Sequence, residues 1–82
     1  MLKEKIELLI KNNYPNVIIG DLYNSDKTIT DLFSFDSISF VKFIIEIEEV
    51  IGIQFTSPDI FDMNITYAKF LSVIEHQVKN EL

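Results

Sequence analysis

The chain contains no cysteine. Disulfide stapling, a cysteine-ligated metal and a protein thiol nucleophile are therefore excluded, and the composition suits a reducing cytosol. Any thioester chemistry would need a sulfur from an added group. Lysine and arginine total only 7 against 13 acidic residues, a formal net charge of −6. That balance argues against nucleic acid, whose phosphates demand a basic surface, and suits partners with basic patches. No apolar run approaches the roughly 20 residues needed to span a bilayer, and the first residues alternate charge with apolar side chains, unlike a signal peptide. The expectation is a cytoplasmic protein with no membrane role. The single histidine, His76, sits among polar neighbours in the last helical segment. A serine hydrolase and its triad thus have little support, and no catalytic residue is expected. Asp59, Asp62 and Asn64 hint at a calcium loop, but one begun at Asp62 would place Tyr67 where glycine belongs and Val73 where glutamate belongs. No metal site is expected.

What the chain does have is apolar mass. Its 82 residues are 48% hydrophobic and include seven Phe and three Tyr, enough for one compact core and a single domain over residues 1–82, expected to be monomeric. Leu2, Ile6, Leu9 and Ile10 recur at helical spacing, predicting a helix from Leu2 to Asn13 that Tyr14-Pro15 ends. Residues 16–35 show no sustained period. Val17, Ile18, Ile19 and Leu22 suit a short helical turn or an extended plug, and Leu32, Phe33 and Phe35 are expected to pin the end of this connection under the next helix. Beyond Gly52, Ile53-Gln54-Phe55 reads as extended, and Ser57-Pro58-Asp59 as the start of a short helix with Ile60, Phe61 and Met63 on its apolar side. Asn64 or Thr66 can cap a last helix reaching about Lys79, with Tyr67 or Ala68, Phe70, Leu71, Ile74 and Val78 facing inward. The expected fold is all-α, a small irregular four-helix bundle of three main helices and one short one.

The longest amphipathic segment runs from Ser37 to Ile51. Asp36 can cap it, its carboxylate accepting an orphan backbone N–H at the positive end of the dipole, and Gly52 can close it. Ser37 then stands exposed in the first turn, beside a ready-made anion site. On a wheel of about 100° per residue with Ile38 at zero, Phe40, Phe43, Ile44, Ile47, Val50 and Ile51 fall between about 120° and 240°, the core face. Ile38, Val41 and Ile45 lie opposite, with Lys42 and Glu49 among them and Glu48 bordering at about 280°. Scattered surface aliphatics are ordinary, but three grouped beside a helix-opening serine suit a docking surface.

The run Asp36-Ser37-Ile38, followed by Val41, the acidic Glu48-Glu49 pair and the Gly52-Ile53 exit, resembles the signature of acyl and peptidyl carrier proteins. The resemblance covers essentially the whole chain. It implies a 4'-phosphopantetheine arm joined to Ser37 through a phosphodiester, added from coenzyme A by a phosphopantetheinyl transferase that uses magnesium. It further implies that Asp36 lies by that enzyme's metal and basic contacts, that the arm's thiol carries cargo as a thioester, and that loading and synthase enzymes dock on Ile38, Val41, Lys42, Ile45, Glu48 and Glu49. A long connection before the serine-bearing helix is usual in such proteins.

Four positions depart from the family pattern. Ser34 stands where many carriers have glycine, Phe35 is bulky, Lys42 occupies an often acidic position, and Ser39 replaces another common carboxylate. These changes leave the attachment chemistry in place but dilute the acidic surface that fatty-acid synthases recognise. An acyl carrier for fatty-acid, polyketide or other specialised biosynthesis is the leading expectation, with a discrete aminoacyl or peptidyl carrier beside it. The competing class is an unmodified acidic helical adaptor gripping one partner through Ile38, Val41 and Ile45.

Overall fold

Helical spacing at the start of the chain becomes α1, Leu2–Asn13, with Ile6 and Ile10 fully buried. Its last turn runs on to Tyr14, whose N–H donates to the Ile10 carbonyl at 2.8 Å, and Pro15 then ends the helix. The computed structural model describes residues 2–24 and 26–81.

The connection that follows is more structured than its sequence suggests. A 3₁₀ turn at Ile19–Tyr23 drives Leu22 into the core. A short α2, Ile29–Phe33, comes next and buries Ile29. Thr28 opens α2 with a reciprocal cap. Its hydroxyl accepts the Asp31 N–H at 3.1 Å, while the Asp31 carboxylate accepts the Thr28 N–H at 3.4 Å. Two bonds stitch α2 to the segment before the last helix: the Ile29 N–H donates to the Ile65 carbonyl at 2.9 Å, and the Thr30 hydroxyl to the Met63 carbonyl at 2.9 Å.

The third helix, α3, spans Ser37–Ile51, and Gly52 ends it in the left-handed region at φ 85°, where a Cβ would be strained. Phe40, Phe43, Ile44 and Ile47 are buried, as the wheel requires, but Val50 is exposed. The four buried residues centre near about 190°, so Val50 lies about 70° off the middle of the core face while Ile51, nearer it, is half-buried. Pro58–Phe61 forms a second 3₁₀ turn, burying Ile60 and exposing Phe61. At about three residues per turn, neighbouring side chains point far apart, so both cannot face inward. The last helix, α4, is Tyr67–Glu81; Thr66 caps it by accepting the Lys69 N–H at 3.3 Å, and Tyr67, Phe70, Leu71 and Ile74 are buried.

α1 packs on α3, and α4 on both 3₁₀ turns. Phe43 lies amid interlocked rings, 5.5 Å from Tyr14, 5.0 Å from Phe33, 5.5 Å from Phe35 and 5.8 Å from Phe70 between centroids. Burying one such side chain is worth about 1.5–3 kcal/mol, and edge-on ring pairs add about 0.5–1.5 kcal/mol. This cluster fixes the end of α3 that carries Ser37. Among the described residues the architecture is all-α, with three longer helices and one short one. The shortest α-helix is α2, in the connection before α3, whereas the short helix expected near Pro58 is a 3₁₀ turn.

Candidate functional site

Ser37 is the first residue of α3, and its side chain is exposed. Phe33 and Phe35, stacked at 4.8 Å between ring centroids, wedge the preceding loop against Phe43. The chain turns between α2 and α3 at Ser34, which adopts a left-handed φ of 58°, and the Phe35 N–H donates to the Thr30 carbonyl at 3.1 Å. The approach to Ser37 is therefore held by rings on one side and backbone bonds on the other.

Asp36 caps α3 from an extended backbone, with φ −92° and ψ −176°. Its Oδ1 accepts the Ser39 N–H at 2.8 Å, and its carbonyl accepts the Phe40 N–H at 3.0 Å. The Ser39 N–H, and then the Ser39 hydroxyl, hold the exposed Asp36 carboxyl below the usual carboxylate range. The N–H groups of the first turn have no preceding carbonyls within the helix, so this end offers donors and partial positive charge to an oxyanion. A phosphodiester on the Ser37 oxygen would sit in that field while its substituent extended into solvent.

The outward face of α3 begins directly below. Ile38 is 79% exposed, Val41 43% and Ile45 47%, and Lys42 and Glu49 are exposed with them. Glu48 differs: half-buried at the border, it accepts the Phe55 N–H on Oε2 at 2.7 Å and fastens the chain leaving α3. Glu46, also half-buried, accepts the Tyr14 hydroxyl. Neither inward bond is legible from helical spacing, because each depends on where another segment passes.

Other chemical groups lie elsewhere. His76 is exposed on α4, where its Nε2 pairs with the Asn80 side chain at 3.1 Å. A polar cleft of about 380 Å³ runs between Thr56–Asp59 and the Lys69, Ser72 and His76 face of α4, and neither Ser37 nor any residue of the outward face of α3 lines it. Gln77 closes one side of it, bonded to the Thr56 N–H and the Gln54 carbonyl. Among the described residues, no three metal-ligating side chains converge, and no helix is long and apolar enough to cross a membrane.

The model of the phosphopantetheine attachment site family matches residues 18–74, well over half the chain. The chain belongs to that family. The matched span runs from the first 3₁₀ turn into α4 and includes all of α3. No significant match was found among curated proteins or solved structures. This carrier's cofactor is therefore covalent 4'-phosphopantetheine, and its partners include a modifying transferase and biosynthetic enzymes that handle the loaded arm. The exposed oxygen at a capped helix start fits such a group on both charge and access.

Proposed function

We propose that Ser37 is the attachment residue and that the chain is a non-catalytic acyl carrier. The supporting observation is the solvent-exposed Ser37 side chain at the open, Asp36-capped end of α3. Attachment would join the Ser37 oxygen to the phosphorus bearing pantetheine and break the pyrophosphate bridge of coenzyme A. Adenosine 3',5'-bisphosphate leaves, and the hydroxyl proton passes to a base of the transferase. When bound, the arm supplies a terminal thiol that holds cargo as a thioester. The chain's own residues do the rest. Asp36 fixes the first turn, the α3 dipole favours the phosphodiester, and Ile38, Val41, Lys42, Ile45 and Glu49 form the docking face, with Glu48 at its border. Tethering raises the cargo's concentration at each partner, and weak, charge-steered docking permits quick exchange.

The cargo we favour is an acyl or polyketide intermediate of a specialised pathway. Lys42 and Ser39, on exposed or half-exposed turns of α3, leave that helix less acidic than a housekeeping fatty-acid carrier's. The same feature favours a discrete aminoacyl or peptidyl carrier as the second reading. Incubation with a phosphopantetheinyl transferase and coenzyme A should add one phosphopantetheine to the intact mass, and Ser37→Ala should stay folded and unmodified. No gain with any of several competent transferases would instead point to an unmodified adaptor.

A further inference from the structure

The docking face carries a cation close to Ser37, although the chain as a whole has a net charge of −6. The charged side chains of α3 are Lys42, Glu46, Glu48 and Glu49. Glu46 and Glu48 are half-buried and bonded to the Tyr14 hydroxyl and the Phe55 N–H, which leaves Lys42 and Glu49 as the exposed ones. Lys42, at about 40° on the wheel, lies one turn past Ile38 and one turn before Ile45, which stands at about 340°. Glu49 follows two turns further from Ser37. Any surface that covers both Ile38 and Ile45 therefore covers the Lys42 stem and crowds its ammonium.

Removing an ammonium from water is costly unless the partner supplies an acceptor, and a basic groove adds like-charge repulsion. We propose that Lys42 determines partner choice: the enzymes that dock on α3 carry a carboxylate within the apolar groove that receives Ile38 and Ile45. This inference rests on Ser37 being the attachment residue. Net charge gives the opposite expectation, because a chain at −6 draws basic surfaces at long range. The local cation then rejects them at contact, so long-range attraction and contact selectivity are set by different residues.

The test is a charge-swap cycle. Wild-type protein and Lys42→Glu are each incubated with coenzyme A and either a transferase whose carrier groove is basic or that enzyme with its groove lysines and arginines changed to glutamate. Initial rates of mass gain are read at low and high salt. At low salt the wild type should prefer the acidic groove and Lys42→Glu the basic one, a combined preference of about tenfold that shrinks as salt screens it. Should the altered transferase be inactive, the unaltered one still decides the matter, with rates expected in the order Lys42→Glu, Lys42→Gln, then wild type equal to Lys42→Arg. Mass gain at rates indifferent to residue 42 overturns the inference while leaving the attachment residue standing. It would mean that the flexible stem lifts its ammonium clear of the interface. Mass gain in none of the combinations, nor with several other competent transferases, overturns the attachment reading, and this inference with it.

Discussion

Ser34 holds a backbone conformation that L-residues avoid, with φ at 58°. A side chain in that region costs about 1–2 kcal/mol, whereas glycine enters it freely. The many carriers with glycine at this position avoid that cost; here the tight turn from α2 to the Asp36 cap is made by a serine. Glycine's larger unfolded-state entropy offsets part of the gain, so Ser34→Gly should stabilise the fold by about 0.5–1 kcal/mol. A rise in the urea midpoint at constant slope would register it. A fall would mean that the serine hydroxyl itself holds the turn.

At the scale of elements, α2 depends most on a single residue. Five residues cannot sustain a helix in water, so Ile29–Phe33 relies on the Thr28 cap and the two stitches to residues 63 and 65. Thr28→Ala removes the acceptor for the Asp31 N–H and should cost about 1 kcal/mol. In a domain of this size that lowers the thermal midpoint by about 4–8 °C. An unchanged midpoint in calorimetry would show that the stitches alone suffice. These same elements mark how far sequence reasoning reaches. Both α3 and α4 were legible because fifteen residues each repeat a 3.6-residue pattern between recognisable ends, Asp36 and Gly52 for one and Thr66 for the other. No period of that kind exists for α2. Its one signal, threonine followed three residues later by aspartate, was present at Thr28 and Asp31. The exposure of Ile38, Val41 and Ile45 followed from the wheel, but the inward turns of Glu46 and Glu48 did not, because Tyr14 and Phe55 reach them by tertiary packing.

Across the whole molecule, the three tyrosines tie distant elements together and share one electrostatic consequence. Tyr14 joins the end of α1 to α3 through Glu46, and Tyr23 joins the first 3₁₀ turn to α1 through Glu7 at 2.9 Å. The hydroxyl of Tyr67 is buried without a hydrogen-bond partner among the described residues, and its ring lies edge-on to Tyr23 at 5.4 Å. Burial, and then the acceptor carboxylates, push Tyr14 well up and Tyr23 up to about 12, while Tyr67 is raised chiefly by burial. A folded-state value above the ordinary 10.0 means that the unfolded chain releases these protons first. The stability that goes with them is complete below pH 10 and is lost as pH climbs through the folded-state values, Tyr23 giving way earliest near 12. Phenolate absorbance should therefore stay flat as pH passes 10 and rise together with the loss of helical circular dichroism. Phenolate appearing near 10 with the helices intact would contradict the burial of Tyr67 and the hydrogen bonds that Tyr14 and Tyr23 donate to Glu46 and Glu7.

Ser37 sits at the tip of a rod and not along its flank. On the proposed attachment, an arm mounted there would sweep a wide solid angle. Enzymes arriving on different bearings could then reach the cargo while their footing on the helix stays the same.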